Sequence, residues 1–108
     1  MTVKPIVPRE QACRDIEAAA DYYAGHAGED VALDFIDELE RAYRLIAAKP
    51  ATGSPFYGHE LGLPGLRQRR LKRYPYLIFY IDRGDHVDVW RVLHAQRDIP
   101  ARMQDPHD

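Results

Sequence analysis

Two hydrophobic periods divide this chain into unlike halves. Up to about residue 48, after a short apolar start, hydrophobic residues recur every three or four positions, which is the spacing of an amphipathic helix. From residue 66 onward, apolar residues fall in short runs rich in β-branched and aromatic side chains, which is typical of strands. The pattern therefore predicts helices in the first half and a β-sheet built mainly from the second.

The first two predicted elements are a short strand and a helix. Residues 2–7 (TVKPIV) form the strand, and Pro5 restricts it to a sheet edge because proline cannot donate a ladder hydrogen bond. Pro8 suits the first turn of the helix that follows, and Gly25 ends that helix. Its apolar stripe consists of Ala12, Ile16, Ala19, Ala20 and Tyr23.

A second helix is the clearest element of the sequence. It ends before Pro50, which cannot continue a helix. The short link between the two helices predicts an antiparallel hairpin with one shared apolar face. The apolar positions of the second helix recur in steps of three and four, at Ala32, Phe35, Leu39, Ala42 and Ile46.

The second half predicts a loop and three strands. Residues 49–65 are rich in glycine and proline and indicate a loop. Strand patterns follow at 66–73, 74–81 and 87–94, with a hairpin turn at 82–86. The run YPYLIFYI at 74–81 is apolar on both faces and therefore predicts a central strand.

The resulting order is β-α-α-β-β-β, which predicts an α+β fold. The helical hairpin has to bury its apolar stripe, and one face of the sheet is the only large apolar surface left. We therefore expect the hairpin to pack on a twisted, mainly antiparallel four-stranded sheet. The length predicts a single domain over residues 1–108, with a polar tail at about 104–108.

The charged residues are unevenly distributed along the chain, and basic residues concentrate in one short run. Residues 1–65 hold 6 basic and 11 acidic side chains, whereas residues 66–108 hold 9 basic and 6 acidic ones. The run LRQRRLKR at 66–73 accounts for most of this basic excess and indicates an acidic partner or a solvated face. The pI near 6.2 argues against nonspecific nucleic-acid binding. In a regular strand, alternation places Arg67, Arg69, Leu71 and Arg73 on one face and Gln68, Arg70 and Lys72 on the other.

Three motifs in this half resemble the ParE branch of the RelE/ParE toxin superfamily. They are Pro64-Gly65-Leu66-Arg67, the strand YPYLIFY at 74–80, and Arg91-Val92-Leu93-His94-x-x-Arg97-Asp98-Ile99-Pro100. The helical hairpin extends the resemblance over nearly the whole chain. The resemblance implies the RelE/ParE-like fold and the toxin of a type II toxin–antitoxin pair, of the kind linked to plasmid stabilisation.

The ParE branch implies inhibition of DNA gyrase by protein–protein binding, without catalytic residues. It also implies a hetero-oligomer with a ParD-like antitoxin that binds DNA through its N-terminal half and wraps the toxin with an acidic C-terminal segment. Contact with DNA would then occur only through the antitoxin. The candidate partner-binding residues are Arg67, Arg69, Arg70, Lys72, Arg73, Arg91 and Arg97.

Two alternatives stay open. One is a RelE-like, ribosome-dependent mRNA endonuclease, in which basic groups would bind the scissile phosphate and His94 would act as a general acid. The tail QDPHD lacks the terminal tyrosine common in such enzymes. The other is a family member that binds an antitoxin but is not toxic. The catalytic candidates for an endonuclease are Arg70, Arg73, Arg91, His94 and Arg97.

Several of these residues also have structural interpretations. If Arg91 points inward it needs a carboxylate, and Asp88 and Asp98 are the nearest candidates in sequence. His94 can instead stabilise the turn before Arg97, which can pair with Asp98 or fix that turn. Packing in the sheet is an alternative to stacking on nucleic-acid bases for Tyr76, Tyr80 and Trp90.

No cofactor or metal is expected. The single cysteine, Cys13, excludes an internal disulfide and fits a reducing cytosol. No apolar run is long enough to cross a membrane and no apolar signal core is present, so we expect a cytoplasmic protein without a membrane partner. The histidines lack metal-ligand spacing and are scattered at 26, 59, 86, 94 and 107.

Overall fold

The computed structural model describes residues 3–103. Thr2 of the first predicted strand and the predicted tail 104–108, with His107, lie outside these residues. The elements are β1 (Ile6–Pro8), α1 (Glu10–His26), α2 (Glu29–Ala48), a 3₁₀ turn (Pro50–Thr52), α3 (Phe56–Glu60), β2 (Leu66–Arg70), β3 (Tyr76–Asp82), β4 (Val87–His94) and α4 (Ile99–Met103).

The four strands form one mixed sheet in the order β1-β4-β3-β2. β2 pairs antiparallel with β3, and β3 pairs antiparallel with β4. β1 pairs parallel with the start of β4, from Ile6 opposite Val87 to Pro8 opposite Val89. The predicted α+β fold, with a helical hairpin and a mainly antiparallel sheet, is confirmed, and β3 is a central strand as its apolar pattern predicted.

The boundary between β1 and α1 differs from the prediction. Pro8 is the last residue of β1 rather than the first of the helix, and α1 begins at Glu10. The cause is the backbone of Arg9, which remains extended and donates its N–H to the Val89 carbonyl at 2.9 Å. At its other end α1 runs to His26, one residue past Gly25.

The helical hairpin covers one face of the sheet, as predicted. Gly28, with φ of 102°, lies between α1 and α2 and donates its N–H to the Tyr23 carbonyl at 3.0 Å, which tightens the turn. Phe35 and Ile46 of α2 pack against Ile78 and Tyr80 of β3, and all four are fully buried. This layer is the larger of two cores.

The opposite face of the sheet carries a second core. Phe79 and Leu93 from the central strands contact Leu66 of β2 and are covered by Ile99 and Met103 of α4. Neither α3 nor α4 was predicted. α4 turns the chain after β4 back over the sheet, which brings Arg102 close to Arg91.

β2 is shorter than the predicted strand at 66–73. It ends at Arg70, and the bend through Lys72 and Arg73 leads to Pro75. Proline restricts the residue before it, so Tyr74 cannot simply continue a regular hairpin turn. Leu71 still enters the core on the helical side. Within residues 3–103, no helix combines the length and hydrophobicity that crossing a bilayer requires.

Candidate partner-binding surface

The predicted basic residues of 66–73, here called the basic strand, divide by face. Arg67 lies opposite Tyr80 and Arg69 opposite Ile78, which places both on the helical side of the sheet. Arg67 Nη1 donates to the Gly53 carbonyl at 2.7 Å, and Arg69 Nη1 donates to Thr52 Oγ1 at 3.2 Å. These acceptors are uncharged and leave the positive charge uncompensated. The basic strand comprises Arg67, Arg69, Arg70, Lys72 and Arg73.

Arg73 is bound to α2. Its Nη2 donates to Asp34 at 2.8 Å and to the buried Glu38 at 3.4 Å. The Tyr74 hydroxyl also donates to Asp34, and this hydrogen bond together with Arg73 holds the pKa of that carboxyl below its usual value. Burial and the same hydrogen bond raise the pKa of Tyr74 to about 12. Carboxylates of the chain itself therefore compensate the charge of Arg73.

Arg70 and Lys72 are the accessible cations of the basic strand. Both are exposed, and within residues 3–103 neither side chain has a hydrogen bond or ion pair. A carboxylate of another protein can therefore pair with them without breaking an internal contact.

The outer edge of β2 is closed by residues 50–65, here called the edge segment. Gln68 and Ser54 exchange two backbone hydrogen bonds of 2.9 Å, and the Leu66 N–H donates to Leu63 at 3.1 Å. Gly58 packs so closely that a Cβ there would lie 2.4 Å from the Leu66 carbonyl oxygen. The prediction of a loop at 49–65 is therefore only partly correct, because the segment pairs with β2 and contains a 3₁₀ turn and α3.

A buried tyrosine holds the edge segment in place. The Tyr80 hydroxyl donates to the Pro50 carbonyl at 2.6 Å and accepts the Gly53 N–H at 3.0 Å. Tyr80 is fully buried, so its ring packs in the core and is not available to stack on a base.

A second surface is a cleft of about 650 Å³ between α1 and β4, here called the α1–β4 cleft. α1 forms one wall and the C-terminal half of β4 forms the other. Tyr76 of β3, the exposed Arg97 and the exposed Arg102 of α4 complete it. The wall from α1 includes Gln11, Asp15, Ala18, Ala19, Tyr22 and Tyr23.

Arg91 and Asp15 form a buried ion pair in the lining of this cleft. Arg91 Nε and Nη2 donate to the two Asp15 oxygens at 2.8 and 2.9 Å, and Arg91 Nη1 donates to the Arg102 carbonyl at 3.1 Å. Asp15 also accepts the Val92 N–H at 3.1 Å. Arg91 is only 6% exposed, so it supports the wall of the cleft and cannot reach a partner as a surface contact.

The expected carboxylate for Arg91 is therefore present, but it is neither Asp88 nor Asp98. Asp88 is held by Arg9 and Arg83, with contacts of 3.0 to 3.1 Å, and by the Trp90 indole N–H at 3.1 Å. Burial opposes ionisation of Asp88, but the hydrogen bonds from the two arginines prevail and its pKa lies below the usual value. Trp90 packs beneath Arg9, with 4.3 Å between the guanidinium carbon and the ring centroid.

His94 stabilises the turn that follows β4. Its Nδ1 accepts the Gln96 N–H at 3.1 Å, and its carbonyl accepts the Arg97 N–H at 3.0 Å. Its ring meets Tyr76 edge-on, with 5.2 Å between centroids. Asp98 begins α4 by accepting the Ala101 and Arg102 N–H groups and forms no ion pair with Arg97. These contacts favour the structural interpretation of His94.

The five endonuclease candidates do not share one pocket. Arg91, His94 and Arg97 lie at the α1–β4 cleft. Arg70 is on β2, which β3 separates from β4, and Arg73 is bound to α2. The part of the chain that the structure describes contains no group of three acidic, histidine or cysteine side chains suited to a metal ion.

Sequence reasoning missed the residues from α1 and α4 that build the cleft. Asp15 is a charged residue next to Ile16 in the apolar stripe of α1, and this position was the one available signal. Tyr22 is 55% exposed, which its aromatic character does not indicate. Arg102 lies beyond the last predicted strand, where no element was expected.

Comparisons with known proteins agree with this architecture. The family model described as ParE toxin of type II toxin-antitoxin system, parDE, matches residues 6–99. A solved structure described as the chromosomal ParDE TA system from P. aeruginosa is similar with a TM-score of 0.73 and 19% sequence identity, covering 87% of this chain and 98% of that one. At this identity the likeness shows a shared fold. Among the curated proteins, no sequence matches.

Proposed function

This chain belongs to the ParE toxin family of type II toxin–antitoxin systems, and on that premise we propose that it inhibits DNA gyrase by protein–protein binding and is neutralised by a ParD-like antitoxin. The observation that carries the proposal is the presence of accessible cations without an internal partner. Arg70 and Lys72 on the basic strand are exposed and unpaired within residues 3–103. Such groups suit the binding of an acidic protein segment.

Arginine is well suited to this contact. Its planar guanidinium donates two parallel hydrogen bonds to one carboxylate, which gives geometric specificity as well as attraction. On the basic strand, Arg67 and Arg69 use one nitrogen each for a neutral oxygen and retain further donors. We propose that the acidic segment of the antitoxin covers this strand and that gyrase meets the same surface when the antitoxin is absent.

Catalysis is less well supported than binding. An endonuclease needs several cationic groups around one phosphate, whereas Arg73 and Arg91 are held by carboxylates of the chain itself. Arg70 and His94 lie on opposite faces of the sheet, because Arg70 is opposite Leu77 on the α4 face and His94 is opposite Tyr76 on the helical face. We therefore propose a toxin that acts by binding and rank the ribosome-dependent endonuclease second.

A direct experiment compares the two targets. Purified chain is added to a gyrase supercoiling assay and to a cell-free translation assay, each with and without the protein encoded by the neighbouring gene. We expect supercoiling to stop, translation to continue, and the neighbouring protein to restore supercoiling. Inhibition of translation alone would contradict the gyrase proposal and favour the endonuclease. Inhibition of neither process, with binding of the neighbouring protein intact, would favour a non-toxic family member.

The basic strand is tested by charge reversal. In the double variant Arg70→Glu and Lys72→Glu, we expect antitoxin affinity to fall by about 10-fold or more, mainly through slower association if the contact lies at the rim. The matched control is Arg44→Glu on α2, another exposed side chain without an internal pair in residues 3–103. Equal affinity of the double variant and the control at moderate salt would remove the basic strand from the interface.

A further inference from the structure

We propose that the seam between α2 and β2, on the helical side of the sheet, binds an acidic segment of gyrase. Leu45 of α2 supplies the apolar contact, and three cations beside it supply the electrostatic attraction. This inference rests on the proposed function and deepens it, because it assigns the target to one face of the basic strand and adds two residues from α2. The α2–β2 seam consists of Leu45, Lys49, Arg67 and Arg69.

A stripe along α2 places Leu45 between two cations. Arg41, Leu45 and Lys49 follow one another at intervals of four residues, so they share one face over about 12 Å. Lys49 comes directly after the last helical residue, and its N–H donates to the Leu45 carbonyl at 3.0 Å. Leu45 is 49% exposed, whereas Ala42 and Ile46 on the same helix are buried. The stripe therefore presents apolar surface next to positive charge.

Hydrogen bonds bring β2 to the C-terminal end of this stripe. The Lys49 carbonyl accepts the Thr52 hydroxyl at 2.8 Å, and Thr52 Oγ1 accepts Arg69 Nη1 at 3.2 Å. Arg67 Nη1 donates to the carbonyl of the next residue, Gly53, at 2.7 Å. Because Arg67 and Arg69 are two residues apart in a strand, they share one face of it. Cations from the helix and from the strand therefore gather around one short turn.

The chain does not neutralise these cations itself. Lys49, Arg67 and Arg69 have no carboxylate partner among the residues that the structure describes. Each arginine uses one nitrogen for an uncharged oxygen and keeps further donors for a carboxylate. Three positive charges thus remain available beside the exposed Leu45 side chain.

The other end of the stripe is neutral. The buried Glu38 accepts hydrogen bonds from Arg41 and from Arg73, and Asp34 accepts a hydrogen bond of 2.8 Å from Arg73. Two carboxylates there compensate two cations. The attraction for an acidic partner is therefore concentrated at the C-terminal end of α2, next to Leu45.

The mixture of apolar and cationic surface favours a protein over a nucleic acid. A protein segment can place a carboxylate on the two arginines and an apolar side chain on Leu45 at the same time. Nucleic-acid phosphates need a broader cationic surface, and the net charge of −2 opposes them. An acidic segment of the target enzyme is thus the occupant that matches the seam.

The test changes the two α2 residues of the seam, which lie outside the basic strand. In the double variant Leu45→Ser and Lys49→Glu, we expect half-inhibition of gyrase supercoiling to need about 10-fold or more protein. The matched control is Leu33→Ser and Arg44→Glu, because both residues are exposed on α2 and lie outside the seam. The control should inhibit like the wild type, and circular dichroism verifies that both variants are folded.

A conservative double variant separates contact chemistry from a general disturbance of α2. Leu45→Met and Lys49→Arg keep the apolar surface and the charge, so we expect half-inhibition within about 2-fold of the wild-type concentration. Inhibition lost equally in the conservative and the reversed variants would overturn the inference. Full inhibition by the reversed variant would also overturn it.

Parallel measurements on the reversed variant identify any other occupant. Lost affinity for the antitoxin with unchanged inhibition of supercoiling would assign the seam to the antitoxin. Wild-type binding to a labelled DNA duplex that the variant loses would assign it to nucleic acid. A wild-type dimer in sedimentation that Leu45→Ser dissociates would assign it to a second copy. Each of these three results would overturn the inference.

The two proposals fail in different ways. If the wild-type chain does not inhibit supercoiling, the gyrase proposal falls and the seam proposal falls with it. If the wild-type chain inhibits supercoiling and the reversed variant inhibits it equally, only the seam proposal falls.

Discussion

The outer edge of β2 and the edge of β4 from Arg91 to His94, here called the open edge of β4, belong to one sheet. The chain supplies backbone partners along the first edge but not along the second. At β2, the edge segment supplies Ser54 and Leu63 as backbone partners, and Gly58 lets the segment approach Leu66 closely. On β4, the Val92 N–H donates to Asp15 and the His94 carbonyl accepts the Arg97 N–H. The Val92 carbonyl and the His94 N–H have no partner within residues 3–103, and the α1–β4 cleft lies beside them. Unpaired edges invite pairing with another chain. The edge segment therefore closes the outer edge of β2, whereas the open edge of β4 keeps unpaired backbone groups next to the cationic side chains of Arg97 and Arg102.

The arginines divide in the same way. Arg73 and Arg91 are bound by carboxylates of the chain itself and hold elements together. Arg70 and Arg97 are exposed and unpaired within the described residues. A count of cations thus overstates how many are available to a partner, because some are bound by carboxylates of the chain itself.

The largest expected effect is the loss of the ion pair that supports the open edge. Asp15→Ala removes the two hydrogen bonds of the Asp15 carboxylate to the buried Arg91 guanidinium and should lower the free energy of unfolding by about 3–5 kcal/mol in urea denaturation. Combining it with Arg91→Met should recover part of the loss, because the buried guanidinium is then removed as well. Glu10→Ala, which removes an exposed pair with Arg14, should cost about 0–1 kcal/mol. Equal effects of Asp15→Ala and Glu10→Ala would contradict the supporting role.

The next effect compares the edges within the free chain. The Gln68 N–H is bonded to Ser54, whereas the His94 N–H has no partner within residues 3–103. We expect the Gln68 amide to exchange about 100-fold more slowly than the His94 amide after correction for intrinsic rates. Similar rates would mean that both edges are closed, or that both open readily, and would remove the contrast between them.

A smaller effect is expected from opening the closed edge. Gly58→Ala places a Cβ 2.4 Å from the Leu66 carbonyl oxygen. Because that oxygen is backbone, the segment has to move, and we expect a loss of about 1–3 kcal/mol in thermal or urea unfolding. Gly25→Ala in α1, where nothing lies within 4 Å, should instead stabilise by about 0.5–1 kcal/mol. If both variants changed the free energy of unfolding in the same direction, the close approach of the edge segment to Leu66 would be contradicted.

The smallest expected effect is the change with pH of the stability that the Asp88 carboxylate provides. The lowered pKa of Asp88 means that its charged form stabilises the fold above the usual value of 3.8, and that this contribution is lost as the pH falls through the lowered pKa. We expect Asp88→Asn to cost about 1 kcal/mol near neutral pH, with a smaller difference from wild type in acid. Urea unfolding at both conditions measures this. Asp37→Asn, on the surface of α2, is the control, and a cost for Asp88→Asn that does not shrink in acid would contradict the role of its charge.

Much of the fold was predictable because periodicity reports burial directly. The stripe of α2 through Phe35 and Ile46 and the doubly apolar β3 each specify where they must lie. The boundaries were less accessible to sequence reasoning. Pro8 suits both a strand end and a helix start, and the choice is made by the Arg9 hydrogen bond to Val89, about eighty residues away in sequence.

The α1–β4 cleft could not be predicted either, because it also depends on contacts between residues far apart in sequence. Arg91 was expected to find a nearby carboxylate, but its partner Asp15 is brought to it by the crossing of α1 over β4. The bulge at Trp90, where Phe79 lies opposite Arg91 and Tyr80 opposite Val89, also leaves no mark in the apolar pattern. A search for runs of like charge therefore pointed to the basic strand and overlooked a cleft assembled from four separate elements, α1, β3, β4 and α4.

The position of Trp90 has a practical consequence. It is the single tryptophan of the chain, and it lies between the end of β1 and the start of the cleft, with its indole N–H on Asp88 and Arg9 above its ring. Ultraviolet excitation of this indole gives an intrinsic optical signal from one known place, without a label. Emission changes on titration or denaturation will therefore report on the junction of β1 and β4 directly.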